Sequence, residues 1–310
     1  MKTSEIRASI DIGSNSVLLL VAKVSAKSLD VLENLSEITS LGKDLDKNKE
    51  FNPESMALTK EALESFVQRC EALGVKASDV IVTATEASRV ARNAKDFFQE
   101  IHKSLGLKIN IISSDAEAYF STKGILFEGN FESETMTIMD VGGASTELIR
   151  VNTKSLEIME SVSLPIGSVR SSNWLEDSLF VQNLQKVFLD HRLLLDKYQS
   201  RELYCVAGTV TSLAAMFLGL QEYDDKQVHG TTLKTEDVDG LFKKYSEATP
   251  EELLEKFPFL KKRSKTMRGG LHLMYHILHR LLVKEIKVST YGLRYGTLIE
   301  GEIKKEFLYE

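Results

Sequence analysis

An aspartate that ends a strand and is followed by glycine and a run of small hydroxyl or amide side chains can hold a phosphate. This sequence carries the pattern twice, as Ile10-Asp11-Ile12-Gly13-Ser14-Asn15-Ser16-Val17 and as Met139-Asp140-Val141-Gly142-Gly143-Ala144-Ser145-Thr146. Glycine admits positive φ and lets backbone approach a ligand closely, and successive N–H groups in a tight turn converge on an anion. Ser14, Asn15, Ser16, Ser145 and Thr146 add side-chain donors. Asp11 and Asp140 would repel a phosphate directly, so their useful place is one step back, holding Mg²⁺ through water or orienting an attacking water. One such turn is also what a plain hairpin shows; two matched copies predict two facing turns and a cleft for a chain of phosphates.

Apolar residues precede each turn (Ala8 to Ile10, Met136 to Met139) and follow it (Val17 to Val24, Leu148 to Val151), predicting strand, turn, strand in both halves. Leu29 to Leu41 continues the first half as strand. Asn52-Pro53 starts a helix with Asn as cap and Pro in the first turn, and Gly74 stops it. Val80 to Val82 and Lys108 to Ile112 read as strands, and Ala94 to Leu105 and Asp115 to about Ile125 as helices. Glu128-Gly129-Asn130-Phe131-Glu132-Ser133-Glu134 is the most loop-like interior stretch and marks the boundary between the halves. Beyond it, Glu157 to Ser163 and Glu202 to Ala207 read as strands, and Ser178 to Tyr198, Thr209 to Leu218 and Tyr295 to Leu308 as helices. Gly208-Thr209, after a strand and opening a helix, is another place where N–H groups and the helix dipole favour an anion.

The two phosphate stretches resemble those of the exopolyphosphatase / guanosine pentaphosphate phosphohydrolase family, a branch of the actin and sugar kinase superfamily. Further similarity follows in the same order through nearly the whole chain: Ala84-Thr85-Glu86-Ala87-Ser88-Arg89-Val90-Ala91-Arg92-Asn93, Ile111 to Ala118, Leu164-Pro165-Ile166-Gly167-Ser168-Val169-Arg170, Val206 to Thr209, Val228-His229-Gly230 and Val288 to Gly296. The resemblance implies a duplicated two-domain α/β fold, actin-like (ribonuclease H-like), with an interdomain cleft. Domain I would span 1–128, with a C-terminal helix at 297–310 packing back on it, and domain II would span 129–296. It implies Glu117 as general base, Asp11 and Asp140 as catalytic acids holding Mg²⁺ through water, and Arg89 as a bidentate grip on the end phosphate. Gly13, Ser14, Asn15, Ser16, Gly142, Gly143, Ala144 and Ser145 would bind phosphate oxygens. Gly208, Thr209, Arg263 and Arg268 would lie on the nucleotide or polyphosphate side.

Departures accompany the resemblance. Ala144 stands for a third glycine, Ala207 for the first glycine of a Gly-Gly-Thr, Ser264-Lys265-Thr266-Met267 for a segment carrying an acid, and Thr290 for another acid. The implied activity is release of orthophosphate from the end of inorganic polyphosphate with Mg²⁺. The alternatives are removal of the 5′-terminal phosphate of pppGpp, or, in another class, a polyphosphate or nucleotide sensor without turnover. A kinase would need an acid elsewhere and an acceptor pocket. A homodimer is the family expectation, and the extra C-terminal helical domains of long members would be lacking.

At 310 residues and 43% apolar the chain can bury two ordinary cores. Cys70 and Cys205 are single and widely spaced, which fits a reducing compartment. The first residues lead straight into a strand, leaving no room for a leader, and the apolar run Val17 to Ala22 is too short for a bilayer. A cytoplasmic protein with no membrane partner is the expectation. Net charge is -6, yet Lys256 to Arg294 holds ten Lys/Arg and one acid, Glu285, either a solvated face or a track for a longer polyphosphate tail. No signature of sequence-specific nucleic-acid binding accompanies it. His272, His276 and His279 share one helix face beside its apolar stripe, without the acidic or cysteine partner a metal would want.

Overall fold

Ile10, Ile12, Val17, Leu19 and Val21 are wholly buried, and they alternate along two strands that meet at the first phosphate turn. In the computed structural model, which describes residues 5–25, 28–127, 129, 131, 133–155 and 157–309, these are β1 (Glu5–Ile12) and β2 (Ser16–Val24). With β3 (Leu29–Ile38), β4 (Ile81–Ala84) and β5 (Ile109–Ile111) they form one sheet in the order β3-β2-β1-β4-β5. The β1-β2-β3 meander is antiparallel, whereas β1, β4 and β5 run parallel. The helices Pro53–Ala72 and Ala94–Leu105 supply Leu63, Phe66, Phe97, Phe98 and Ile101 to the core on this sheet. The first of them starts as its sequence predicts, with the Asn52 side chain accepting from Ser55 N–H at 2.9 Å.

A second sheet repeats this plan. β6 (Thr135–Val141), β7 (Thr146–Asn152), β8 (Ile158–Leu164), β9 (Glu202–Val206), β10 (Thr232–Lys234) and β11 (Glu285–Val288) lie in the order β10-β11-β9-β6-β7-β8. Here β6, β9 and β11 are the parallel strands, and β10 is an addition. Met139, Val141, Leu148, Leu213, Met274 and Ile277 are among its core. The duplication visible at the turns therefore extends to whole sheets, which is the actin-like (ribonuclease H-like) α/β fold. The chain divides into two compact units, Met1–Phe127 with Leu293–Glu310, and Glu128–Gly292. Leu293 to Gly296 thus belong with the first unit. Of the interior loop, Glu128, Asn130 and Glu132 lie outside the described residues, as does Glu310 at the chain's end.

Two helices differ from their sequence reading. Ser178 to Tyr198 is not one helix. Ser178 takes a left-handed conformation (φ 57°) and Leu179 N–H reaches back to Trp174 O at 2.7 Å, closing the preceding helix Ser168–Glu176. Phe180–Asp190 and Arg192–Lys197 then follow as separate helices. The last helix is Leu293–Glu300 and does not run on over 297–310, because Gly301 turns left-handed at φ 88°. It packs on the helix Ser114–Leu126, where any side chain at Gly296 would collide with the Phe120 carbonyl; Ser9 Oγ and Thr297 Oγ1 share a buried hydrogen bond of 2.6 Å.

The glycines of the phosphate turns serve closeness rather than positive φ. The positive-φ glycines among the described residues are Gly74, Gly106, Gly219, Gly230 and Gly301. Gly13 N–H donates to Ser16 O, and Gly142 N–H to Ser145 O, both at 3.0 Å. A Cβ would come to 3.3 Å and 3.1 Å of those same carbonyls. Each turn is then braced from behind by the loop leaving the third strand. Gly42 N–H donates to Ser14 O at 2.7 Å, and Thr39 and Ser40 N–H donate to Asn15 O. Ser168 N–H donates to Gly142 O at 2.9 Å and Val169 N–H to Gly143 O at 2.8 Å. Gly42 and Gly167 are the points of nearest approach, a Cβ at Gly167 lying 2.5 Å from Gly143 C and O. Positive φ is needed instead at Ala207 (φ 74°, ψ 168°), where β9 turns into the helix Gly208–Phe217. That region belongs almost wholly to glycine. Ala144 has no such strain, since its φ is not positive.

Gly167→Ala is expected to destabilise the protein by about 1–3 kcal/mol or more through forced backbone movement. Gly42→Ala, whose added methyl meets mainly the Ser14 side chain at 2.9 Å, should cost less; equal losses in denaturant titrations would contradict the bracing argument. Ala207→Gly should do the opposite: removing about 1–3 kcal/mol of strain outweighs the ~0.5–1 kcal/mol that glycine loses in ordering. The melting temperature should rise by about 2 °C, and a fall would show that Ala207 is at ease where it stands.

Candidate functional site

In the first unit β1, β4 and β5 end together, because Asp11 pairs with Thr83, Ile12 with Ala84, and Ala84 with Ile111. The carboxyl ends of parallel strands are where α/β sheets bind ligands. At this edge stand the turn Gly13 to Ser16, then Thr85, which opens the helix Glu86–Val90, and Ser113, which caps the helix Ser114–Leu126. Ser113 Oγ accepts from Ala116 N–H at 3.1 Å, and this places Glu117 in the first turn, 8% exposed. Arg89 Nη2 donates to Glu117 Oε2 at 2.9 Å and to Glu86 Oε2 at 3.1 Å, while Nη1 donates to the Ile112 carbonyl at 2.8 Å. A planar guanidinium thus ties two acids to a strand end, a task its fixed fork suits better than a lysine's point charge. In this structure Arg89 addresses carboxylates, and a bidentate grip on phosphate would compete with those bonds. Asp11 is half-buried on β1, and Ser14 and Asn15 are buried in the turn.

The second unit builds a comparable edge. Asp140 on β6 is level with Val206 on β9, and Cys205 with Val288 on β11. Gly142, Gly143, Ala144 and Ser145 form the turn, with Ser145 and Ala144 buried. Arg170, itself buried, donates from Nη1 to Ala144 O at 2.6 Å, so it holds the turn's backbone. Gly208 and Thr209 open the helix after β9, and the guanidinium of Arg263 lies against Gly208, where a Cβ would run into it. Arg268 is not brought there: its Nε donates to Ser246 O at 2.8 Å and its Nη2 pairs with Glu247 at 3.1 Å.

Sequence reasoning passed over Glu147. It stands directly opposite Asp140 in the β6–β7 register, 2% exposed, and accepts from Ser163 Oγ at 2.7 Å. Directly paired residues share a face of the sheet, so two acids are buried side by side. The signal was present in the repeat, since Asp11 faces Leu18 at the matching place, and a glutamate standing for a leucine on a core strand asks for a reason. A buried acid pair suits a nearby cation. Among the described residues no group of three or more His, Cys, Asp or Glu could hold a metal.

The remaining candidates go elsewhere. Among the histidines, His272 Nε2 donates to Ser246 O (3.1 Å), His279 pairs with Asp239 (2.9 Å), and His276 packs among the rings of Phe180, Phe242 and Tyr275. Burial lowers the pKa of His272 and His276. Cys70 and Cys205 are buried, and burial pushes the Cys70 thiol up to about 11 and Cys205 higher still. No helix among the described residues is long and apolar enough to cross a membrane.

Comparison with known proteins agrees with this geometry. The model of the Ppx/GppA phosphatase family matches residues 20–305. A bifunctional 3-dehydroquinate synthase/phosphatase of Fusobacterium nucleatum is 28% identical, over 97% of this chain and 47% of its own length, so the chain spans about half of that relative. Among solved structures, an exopolyphosphatase-like protein shares 26% identity at a TM-score of 0.88, covering 96% of this chain and 98% of the other. The Aquifex aeolicus member of the Ppx/GppA family shares 26% at 0.74, covering 96% and 97%. With a family match over nearly its whole length, the chain belongs to the Ppx/GppA phosphatase family.

Proposed function

We propose that this phosphatase hydrolyses a terminal phosphoanhydride, releasing orthophosphate from the end of inorganic polyphosphate with Mg²⁺. The observation that carries the reading is Glu117, a buried carboxylate in the first turn of its helix, held at 2.9 Å by Arg89. A surface acid has no need of such a clamp; a base that must meet one water in one direction does. Two of the solved relatives support the substrate class by name, as an exopolyphosphatase-like protein and a Ppx/GppA family member. On this reading the part of the bifunctional relative that the chain matches is its phosphatase.

The roles follow from the residues. Glu117 takes a proton from a water as the water oxygen bonds to the terminal phosphorus. The bridging P–O bond breaks, and the shortened chain leaves with the electron pair. Arg89 acts through Glu117 as a positioning residue, fixing the carboxylate's direction from Ile112 and Glu86. The turns at Gly13 to Ser16 and Gly142 to Ser145 hold phosphate oxygens, stabilising charge that builds as the bond breaks. Asp11 in the first unit, and Asp140 with Glu147 beside it in the second, are each hard oxygen donors of the kind that would hold Mg²⁺ through water; such an ion would supply charge neutralisation at the phosphates.

Offered long-chain polyphosphate and pppGpp in parallel with Mg²⁺, the purified protein should release orthophosphate. Glu117→Gln, which keeps shape and removes the base, should lower kcat by ~10²- to 10⁴-fold. Release from pppGpp alone would move the substrate to the nucleotide, and tight binding without release would make the protein a sensor. Arg89→Lys should lower kcat by up to about 10²-fold with little change in KM, since a misdirected base is the defect. A rise in KM with kcat intact would instead place Arg89 on the phosphate.

A further inference from the structure

Arg89 distributes its hydrogen bonds unevenly. Nη1 donates to the Ile112 carbonyl at 2.8 Å and Nη2 to Glu117 Oε2 at 2.9 Å, both short and both to buried partners. The Nε and Nη2 edge of the guanidinium meets a single oxygen, Glu86 Oε2, at 3.3 and 3.1 Å. Along such an edge an arginine takes two oxygens of a carboxylate or a phosphate at once. Here one carboxylate oxygen spans it.

The place of this contact gives it a use. Thr85 N–H donates to Ile12 O at 3.3 Å, so the helix Glu86–Val90 starts beside the end of β1, where the turn Gly13 to Ser16 begins. Arg89 follows Glu86 by three residues, a spacing that sets two side chains on one helix face. The Arg89 side chain is 5% exposed and that of Glu86 21%, so an anion arriving from water meets the carboxylate before the guanidinium. An arginine at a strand edge that binds phosphate attracts any small oxyanion, including the orthophosphate that the reaction releases. Seated on Nε and Nη2, orthophosphate would draw Nη2 from Glu117 and turn the base. Glu86 fills that seat, and its charge repels the anion from it. An acid in a first turn also offsets the helix dipole, but a helix of five residues has little dipole to offset, and that task asks for no contact with Arg89.

Resting on the hydrolase reading above, we infer that Glu86 is a positioning residue that shields Arg89 from free phosphate and so reserves the guanidinium for Glu117. Released product is thereby kept off the group that aims the base.

Glu86→Gln keeps the shape of the side chain and removes its charge, whereas Glu86→Ala removes both. The inhibition constant of orthophosphate against polyphosphate hydrolysis should fall about tenfold in the glutamine variant, a like charge having been lifted from the anion's seat, and further in the alanine variant. Glu86→Asp, which keeps the charge, should stay nearer the unmodified protein. The inhibition should also change in kind, since orthophosphate on Arg89 lowers kcat, while orthophosphate competing at the turn raises KM alone. An unchanged inhibition constant in the glutamine variant would leave Glu86 a helix-start acid and overturn the shield. A lower KM for polyphosphate with kcat intact would overturn it too, because the phosphate kept from Arg89 would then be the substrate's own. Calorimetric titration of orthophosphate into each variant reads the same affinity without turnover. Absence of orthophosphate release by the unmodified protein would defeat the hydrolase reading, and that titration would still decide whether Glu86 keeps phosphate from Arg89.

Discussion

The constraint on which this structure depends is backbone brought against backbone at the end of a strand. A phosphate turn presents side chains and N–H groups on one side only if its own carbonyls are satisfied on the other. In both units that satisfaction comes from the loop after the third strand, which donates to Ser14 and Asn15 in one case and to Gly142 and Gly143 in the other. Such donation requires the loop to lie flat on the turn, which a Cβ at Gly167 would prevent and a Cβ at Gly42 would strain against Ser14. Leu41 and Ile166, each wholly buried next to those glycines, fasten the loops into their cores. Turn geometry and core packing are thus one problem, solved twice.

Much of this was legible in the sequence, because repetition and periodicity are local signals. The two turns, the strand pairs around them, the Asn52 cap and the Ala94–Leu105 helix all follow from short spacings. What was not legible depends on partners far along the chain. The glycines of the turns read as positive-φ residues, yet their use is proximity, and positive φ falls at Ala207, where only the geometry of β9 entering its helix demands it. Nothing nearby in sequence shows that Glu117 and the Ile112 carbonyl close around Arg89. Ser178 to Tyr198 read as one helix because its apolar spacing continues, while the Leu179 to Trp174 hydrogen bond that interrupts it belongs to the element before.

The two copies have also diverged at the residues that face the acids ending their first strands. Asp11 faces Leu18 across its hairpin, and Asp140 faces Glu147. An acid opposite a leucine meets no like charge across its hairpin, whereas two buried acids side by side repel unless positive charge is near. The hairpin of the second unit therefore carries a like-charge repulsion that the hairpin of the first does not. The first unit instead buries Glu117, at the start of the helix that follows its third parallel strand, where Arg89 pairs with it.

The same topological position shows how such divergence proceeds. In each unit a guanidinium reaches the turn that follows the second parallel strand. In the first it comes from within that turn's own helix, as Arg89 on Glu86–Val90, and it is spent on carboxylates. In the second the helix Gly208–Phe217 carries no cation of its own, and Arg263 arrives from a segment more distant in sequence, possible only because residue 208 is a glycine. A cation imported from elsewhere brings its neighbours with it. A local arginine can serve only its own turn, whereas Arg263 brings the charge of a basic segment to the turn after β9, a charge that the helix opening there does not carry.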